Sequence, residues 1–513
     1  PRAGVRRRSM AGQWKGAITV KSIAMSGHAR FLNVERPLIS PAIWNDPACS
    51  RLWLYQLHYF DGLAGAAAAD GAAASAFIER WIRENPPAAG VGWEPFPVSM
   101  RICNWIKFSL QGGQLSQGAI DSLATQTAWL SRRLEFHLMG NHLLLNACAL
   151  YCAGCFFDSD EAEAWRARGA QLLEEQLREQ ILPDGTHFEL SAMYQLIVLE
   201  ALLDVVNIAQ AFDLRAPANL HDACRAMLMA LDVVTHPDDD IAQFNDAALD
   251  EASPPAELRA YARRLHLEYS ARPSHVSAWL PHGGYARLCG DGAVALVDVA
   301  EIGPAYLPAH AHADTLTFEL SVGGRRVIVD TGISTYEADV TRHRERGTAA
   351  HNTVSIDGLN SSDVWHAFRV GARARVLRRK FVATGDVTTV HAAHDGYRHI
   401  GVVHARTWVM HRERLEIRDE IAGGGAHRLD CAFHFHPDLR IEWRAGSAIV
   451  RHVDGMRVLR LELDPGLSWH VADYDYHPGF GVSQRAARLH GRRDGPLPLK
   501  LSHTFYWSEA PAT

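Results

Sequence analysis

The stretch HAHADTLTFELSVGGRRVIVD, from His310 to Asp330, decides the fold predicted for the second half of the chain. Apolar and polar residues alternate up to Gly323-Gly324, and a second apolar-rich run follows these glycines. This alternation and the two-residue glycine turn predict a β-hairpin. Because side chains two apart on an extended segment point the same way, His310 and His312 are expected to share a face where the hairpin begins. Asp330 is expected to return beside them.

A further histidine, His351, stands in RGTAAHNTVSIDG just before another apolar run. Two imidazoles and a carboxylate from this group form a donor set that suits zinc or a similar divalent ion. The alternative is that these polar residues are scattered over a large β domain, in a chain with 28 histidines. A second His-x-His pair, His434 and His436, has no obvious acidic partner and is the weaker candidate.

Composition bounds the class of protein. A chain of 513 residues is too long to fold around a single hydrophobic core, so two or three domains are expected. Apolar residues make up 47% and charged residues 21%, which is ordinary for a globular chain. The net charge of -6 gives no reason to expect a nucleic-acid partner, although a local basic cleft could bind an anionic polysaccharide. No run predicts a transmembrane helix.

The N-terminal sequence carries Arg6-Arg7-Arg8 with no apolar stretch behind it, so it does not resemble a signal peptide. The literal expectation is a cytoplasmic protein, or a periplasmic one if the true start lies upstream of Pro1. The eight cysteines are scattered. The Cys152-Ala-Gly-Cys155 pair sits in an apolar helical run, so buried thiols are expected there rather than a metal site.

The pattern divides the chain into helices followed by strands. From Leu52 to about Leu265, apolar residues recur at three- and four-residue intervals, as in AIDSLATQTAWLSRRLEFHL. From Gly283 onward the chain is rich in period-two Val, Ile and Thr, with glycine turns. This segregation predicts an α+β multidomain protein: an N-terminal extension at 1–40, an all-α domain at 41–270 and an antiparallel, two-layered β domain at 271–513.

Two motifs in the helical part could carry chemistry. Asn141 and His142 open a helix in GNHLLLNACAL, where the alternative is a helix cap followed by a surface histidine. Tyr194 lies in DGTHFELSAMYQ, where the alternative is a packed aromatic side chain. Neither motif would identify a site by itself.

Taken together, these motifs resemble the heparinase II/III-like polysaccharide lyases, a family that includes heparan sulfate, alginate and broad glycosaminoglycan lyases. The resemblance spans about residues 50 to 440, and its motifs occur in order. It implies an incomplete (α/α) toroid followed by an antiparallel β-sandwich. It also implies cleavage of an anionic, uronic acid-containing polysaccharide by β-elimination.

Residue by residue, the resemblance implies the following roles. Catalytic roles fall to Tyr194 and His310, and neutralisation of the substrate carboxylate to Asn141 and His142. The implied metal ligands are His312, Asp330 and His351, holding one divalent ion that is usually Zn2+, with Mn2+ or Ca2+ as alternatives. This ion would act as a structural or orienting element. Tyr336 would correspond to the second tyrosine used by some alginate-cleaving relatives. Apart from the resemblance, Arg101 is a candidate for contact with the substrate carboxylate, where the alternative is an ordinary surface arginine.

These residue types suit an elimination. Removal of the C5 proton of a uronic acid concentrates negative charge on the carboxylate, which neutral or cationic donors stabilise. A tyrosine can act as base and acid if its environment lowers its pKa, and a histidine can serve as base on the other face.

Two other functions remain open. A glycoside hydrolase would need two carboxylates, for which Glu189 and Asp184 are candidates. A non-catalytic polysaccharide-binding or assembly factor would need no turnover. The sequence does not indicate the oligomeric state.

Overall fold

The computed structural model describes residues 5–18, 27–444 and 446–508. The chain forms two compact units. The first unit comprises Pro1–Ile181, Leu196–Leu228 and Ala256–Tyr269, and the second comprises Leu182–Gln195, Met229–Pro255 and Ser270–Thr513. The segment with Tyr194 therefore belongs to the second unit, although helices surround it in the sequence.

Helices come first along the chain, apart from a small hairpin of strands β1 (His28–Phe31) and β2 (Val34–Pro37) within the predicted extension. The helices are α1 (Arg51–Tyr59), α2 (Leu63–Glu84), α3 (Pro95–Leu110), α4 (Gln117–Leu130), α5 (Gly140–Phe156), α6 (Asp160–Gln180), α7 (Ala192–Ala211), α8 (Leu220–Val234) and α9 (Pro255–Arg264). A short helix, α10 (Val340–Glu345), lies among the later strands.

Serine side chains start several of these helices. The hydroxyls of Ser50, Ser116 and Ser159 accept hydrogen bonds from the backbone N–H groups of Trp53, Ala119 and Ala162. Each bond satisfies one of the backbone donors that the first turn of a helix leaves unpaired. Local sequence thus fixes where α1, α4 and α6 begin.

Helix α5 is the buried helix of the first unit. All its residues except His142 are buried, including Cys152 and Cys155, which are free thiols as expected. It approaches α6 closely at two glycines. A Cβ on Gly154 would lie 2.4 Å from the backbone nitrogen of Arg166, and one on Gly169 would lie 2.5 Å from that of Tyr151.

Strands dominate from Ala278 onward, so the predicted α-then-β order is confirmed. The strands are β3 (Ala278–Leu280), β4 (Tyr285–Gly290), β5 (Ala293–Asp298), β6 (Phe318–Val322), β7 (Arg325–Ile328), β8 (Val354–Ile356), β9 (Val364–Trp365), β10 (Arg369–Val370), β11 (Val376–Thr384), β12 (Val387–His394), β13 (Val403–Met410), β14 (Arg414–Ala422), β15 (Ala426–His434), β16 (Leu439–Arg444), β17 (Ser447–His452), β18 (Arg457–Glu462), β19 (Ser468–Tyr476), β20 (Gln484–Pro496) and β21 (Leu499–Tyr506).

These strands form three larger antiparallel sheets and one short hairpin, β9–β10. The sheets have the orders β3-β4-β5-β6-β7, β19-β20-β15-β8 and β11-β12-β13-β14-β21-β18-β17-β16. Phe318, Phe433 and Phe505 contribute one ring from each sheet to a common core, with centroid separations of 5.1 to 6.1 Å. Burial of this aromatic cluster holds the three sheets together.

The predicted glycine hairpin is confirmed as β6–β7. Val322 pairs with Arg325, and Gly323 and Gly324 have φ angles of +59° and +78°, a conformation that glycine adopts without strain. The expectation of an extended segment at His310 and His312 is wrong, because β6 begins only at Phe318. Leu316 has a φ of +73°, which breaks the strand before it reaches the histidines.

Helix α7 is long and apolar enough to cross a membrane, and it is the one helix among the described residues that passes this test. Of its most apolar window, 78% is buried inside the protein. This burial is typical of a core helix, so the composition of α7 is explained by packing.

We predict that the α5–α6 contact tolerates no added side chain. Gly154→Ala would place a methyl group against the backbone of Arg166, so the free energy of unfolding should fall by about 1–3 kcal/mol. The matched control is Gly71→Ala in α2, where no atom lies within 4 Å of the new Cβ. That substitution should stabilise the chain by about 0.4–1 kcal/mol. Urea unfolding of both variants checks this, and an equal effect of the two would contradict it.

Candidate active site

The structure brings together three of the predicted site residues, Tyr194, His310 and Tyr336. The rings of Tyr194 and His310 stack with centroids 4.0 Å apart. The hydroxyl of Tyr336 lies 3.5 Å from that of Tyr194. Tyr194 is in the first turn of α7, where Ser191 accepts a hydrogen bond from its backbone N–H, and the other two rings come from loops on either side of β6–β7.

A buried carboxylate, Asp246, organises this group. It accepts hydrogen bonds from His310 Nδ1 at 3.0 Å and from His312 Nε2 at 2.8 Å. Both terminal nitrogens of Arg342 also donate to it, with Nη2 at 2.7 Å from Oδ2. Burial opposes the charged form, but Arg342 and the two histidines hold the pKa of Asp246 well below its usual range.

The charge of Asp246 fixes the tautomers of both histidines. An ionised carboxylate only accepts hydrogen bonds, so Nδ1 of His310 and Nε2 of His312 carry the protons. In its neutral form His310 therefore presents an unprotonated Nε2, which lies 3.7 Å from Oε2 of Glu189. An imidazole oriented in this way has the geometry of a general base.

Tyr194 differs from the expectation in one respect. Burial raises the pKa of its hydroxyl well above the usual value, and the Tyr336 hydrogen bond opposes this only in part. The lowered pKa that would suit a tyrosine base is therefore absent from the free protein. A protonated phenol suits the opposite role, donation of a proton to a leaving oxygen.

Beside this group lies a cluster that could hold a metal ion. Donor atoms of His312, Asp314 and His351 lie within 4.8 Å of one another, and all three residues are buried. Nδ1 of His312 and Nε2 of His351 are buried and have no hydrogen-bond partner. Burial lowers the pKa of His312 to about 3, which keeps it in the neutral form that a metal ligand requires.

The cluster differs by one residue from the predicted ligand set. Asp330 lies on the far side of His351, with Oδ2 2.7 Å from Nδ1, whereas Asp314 lies among the unpaired nitrogens. A carboxylate on the second nitrogen of a histidine ligand typically orients the ring. Asp330 as a ligand stays a prediction, with Asp314 as the alternative.

The carboxylates around this cluster also fit a cation. Asp298, Asp314 and Asp330 are all buried, and burial raises the pKa of each. The charge of Asp330 adds to the effect on Asp298 and Asp314, and the charge of Glu319 adds to the effect on Asp330. Grouping three acids in the interior is costly without a positive charge nearby. The donor set of two imidazoles and a carboxylate therefore suits a divalent ion, as the sequence indicated.

Arg101 does not have the predicted role. Its side chain is fully buried in the first unit and donates to Gln126 Oε1 at 2.8 Å and to the carbonyl oxygens of His58 and Gly92 at 3.1 and 2.7 Å. Its guanidinium also lies 3.9 Å from the ring centroid of Trp81. These internal contacts use three of its five N–H donors and hold the fully buried side chain in the core, which favours a structural role over a contact for substrate.

Asn141 and His142 lie in the first turn of α5, in the first unit. The helix cap is Met139, so Asn141 is not the cap, and its side chain is buried. The His142 ring packs on Phe96 with centroids 4.4 Å apart, and its Nδ1 lies 3.1 Å from Oε1 of buried Glu135. The side chain of His142 is partly exposed, and the catalytic role of the pair stays a prediction.

Sequence reasoning missed Asp246 and Arg342, which have no local signature. It also missed Asp314, which had a signal. In His310-Ala-His312-Ala-Asp314 the acidic residue continues the spacing of two that linked the histidines.

Two family models match this chain. Residues 52–267 match the family described as heparinase II/III N-terminus, and residues 272–500 match heparinase II/III-like, C-terminal. The chain belongs to the heparinase II/III-like family. Its fold is likewise similar to that of heparinase III, with a TM-score of 0.71 at 19% identity over 90% of this chain and 78% of that one. A chondroitin AC lyase from Streptomyces coelicolor is similar at a TM-score of 0.56 and 10% identity, over 91% of this chain and 75% of that one.

Curated relatives of this chain carry two kinds of name. A heparin-sulfate lyase from Bacteroides stercoris is 28% identical over 44% of this chain and 37% of its own length. A heparin-sulfate lyase from Pedobacter heparinus is 26% identical over 55% of this chain and 47% of its own length. FtsZ-localized protein C from Caulobacter vibrioides is 26% identical over 76% of this chain and 70% of its own length. The chain thus spans less than half of these two lyases.

We predict that loss of the Asp246 charge destabilises the second unit. Asp246→Asn would leave Arg342 buried without its counter-charge, so the free energy of unfolding should fall by about 3–5 kcal/mol. The control is Asp475→Asn, which removes an acid from an exposed ion pair with Arg485 and should change stability little. Chemical denaturation measures both. Similar stability of the two variants would contradict the role of Asp246.

Proposed function

We propose that the protein is a polysaccharide lyase that cleaves a uronic acid-containing, glycosaminoglycan-like polysaccharide by β-elimination. The observation that carries this proposal is the stacked pair of Tyr194 and His310, with one protonated oxygen and one unprotonated nitrogen next to each other. Elimination needs a base at C5 and an acid at the glycosidic oxygen, and this pair offers both.

In the proposed reaction, Nε2 of His310 takes the C5 proton of the uronic acid. The C4–O bond then breaks, a C4–C5 double bond forms, and Tyr194 donates its proton to the departing oxygen. His310 becomes an imidazolium, which the carboxylate of Asp246 stabilises through Nδ1 at 3.0 Å. Exchange with water returns a proton to Tyr194 and removes one from His310.

Negative charge develops on the substrate carboxylate during this step. Asn141 and His142 are proposed to neutralise it, as the family resemblance implies, since an amide and an imidazole both donate hydrogen bonds. Glu135 engages Nδ1 of His142 at 3.1 Å, so Nε2 is the ring atom of His142 that would face the substrate.

A divalent ion held by His312, Asp314 and His351 would supply charge compensation and would rigidify the loop that carries His310. Two nitrogen donors favour Zn2+ over Ca2+, which prefers oxygen ligands. His312 and His310 share Asp246, so ordering one histidine orders the other. This is an orienting role rather than direct catalysis by the ion.

The names of the relatives support a sulfated glycosaminoglycan as the substrate class, ahead of alginate. Hydrolysis is less well supported, because both carboxylate oxygens of Asp184 are engaged. Oδ2 accepts from the backbone of His282 at 2.6 Å and of Gly283 at 2.9 Å, and Oδ1 accepts from Thr186 at 3.2 Å. The name of FtsZ-localized protein C records a location and no lyase activity, so polysaccharide binding without turnover stays the second candidate.

We predict that the protein produces unsaturated uronate ends from at least one of heparan sulfate, hyaluronan, chondroitin, alginate and polyglucuronate, read as ultraviolet absorbance. Tyr194→Phe should reduce the rate by a factor of about 100 or more, because it removes the proton donor but keeps the ring. The control is Tyr506→Phe on β21, whose hydroxyl bonds Glu462 and which should retain activity.

Three outcomes separate the candidate functions. Absorbance that Tyr194→Phe abolishes supports the lyase. New reducing ends without absorbance would contradict it in favour of hydrolysis. Binding without either product would contradict it in favour of the second candidate.

We predict about one zinc ion per purified chain, measured by elemental analysis, and a melting temperature several degrees lower after chelation. His351→Ala should abolish both effects, whereas His391→Ala on β12 should preserve them. Substitution by alanine distinguishes the two candidate acids, Asp314 and Asp330. Removing the acid that binds the ion should abolish zinc binding, whereas removing the acid that only orients His351 should weaken zinc affinity about 10–100-fold. Stoichiometric zinc in His351→Ala would contradict the site.

A further inference from the structure

The β9–β10 hairpin lies beside the catalytic pair in the second unit. Phe368, at its tip, packs edge-on against His310 with centroids 6.1 Å apart and against Tyr336 at 5.2 Å. This ring is nevertheless 39% exposed. It therefore forms one wall next to the reacting nitrogen and remains open to a ligand.

Two buried arginines fasten the hairpin to the catalytic loop. Arg346 donates to the carbonyl oxygen of Ala311, between the two histidines, at 2.9 Å from Nη2, and to that of His366 at 3.0 Å from Nη1. Arg342, which pairs with Asp246, donates to the carbonyl oxygen of Ala367 at 3.1 Å. These bonds hold His366 in a left-handed conformation, with a φ of +53°. A strained residue held by buried charges indicates that the position of the hairpin matters for function.

The hairpin presents an aromatic side chain and a cation on one face. Trp365 and Arg369 are directly opposite in the β9–β10 register, so their side chains share a face. Trp365 is 51% exposed, and the guanidinium of Arg369 lies 6.0 Å from its ring centroid. Within the described part of the chain, no acidic residue forms an ion pair with Arg369.

This combination matches the chemistry of an anionic sugar. The apolar face of a pyranose packs on an indole ring, and a guanidinium binds a carboxylate or sulfate with paired hydrogen bonds. The exposed ring of Trp365 and the guanidinium of Arg369 beside it are both accessible to such a ligand.

We propose that the β9–β10 hairpin is a substrate-binding element that sets the preference for an anionic sugar beside the cleaved bond. Phe368 bounds the reacting uronate, and Trp365 with Arg369 holds the next sugar through its ring face and its sulfate or carboxylate. The inference rests on the proposed function, because it assumes that His310 marks the reacting sugar.

The test compares Trp365→Ala and Arg369→Ala with a matched pair elsewhere in the second unit. Tyr506 and Arg460 are also directly opposite on neighbouring strands, with the guanidinium 4.2 Å from the ring centroid. On the polymer that the wild type cleaves, each hairpin variant should raise KM about tenfold with less than a threefold change in kcat. Tyr506→Ala and Arg460→Ala should leave KM unchanged. The effect of Arg369→Ala should shrink at high salt.

A second readout does not depend on turnover. Binding of heparan sulfate tetrasaccharide to Tyr194→Phe is measured by calorimetry, with and without Trp365→Ala, and the hairpin substitution should weaken it about tenfold. If the wild type cleaves nothing but Trp365→Ala still loses binding, the proposed function fails, and with it the position beside a cleaved bond, whereas the binding of an anionic sugar by the hairpin stands. Equal KM or equal binding in the hairpin and control variants would overturn the inference, as would absence of tetrasaccharide binding by Tyr194→Phe.

Discussion

The carboxylate of Asp246 is the interaction on which the site depends. It is fully buried, and it accepts hydrogen bonds from His310, from His312 and from both terminal nitrogens of Arg342. One charge therefore fixes the tautomer of the proposed base, aims a histidine at the metal cluster and balances an arginine that holds a neighbouring hairpin. Because a buried acid is stable only with such partners, the parts of the site are energetically coupled. Their geometry is established by folding, before any substrate binds.

The roles within the pair follow from how each group is buried. Tyr194 lies where burial raises its pKa, so it holds its proton, whereas Asp246 orients His310 so that its Nε2 is free. A stacked acid and base, rather than one tyrosine in both roles, is the simplest chemistry for this arrangement. The candidate metal cluster includes His312, two residues beyond His310 in the sequence, and its proposed role is to order the loop that carries both histidines.

Sequence patterns predicted the local features and missed the distant ones. Alternation and Gly323-Gly324 were enough for β6–β7, because a hairpin is specified by its own residues. Asp246 could not be found in this way, since it lies 64 residues before His310 and is brought to it only by the tertiary fold. The prediction for Arg101 failed for a related reason. Helical periodicity does not distinguish an exposed arginine from a buried one, and the burial of Arg101 depends on hydrogen bonds to Gln126 and to two backbone carbonyls that are distant in sequence. Asp314 was within reach, because it continues the spacing of His310 and His312.

The most direct test of this account is cleavage in heavy-oxygen water, with mass spectrometry of the products. Elimination adds no water across the broken bond, so the account predicts products that carry an unsaturated uronate and no heavy oxygen at the new reducing end beyond slow exchange. Heavy oxygen incorporated at every cleaved bond, with saturated sugars on both sides, would contradict it. That result would mean that the Tyr194–His310 pair activates water instead of removing the C5 proton.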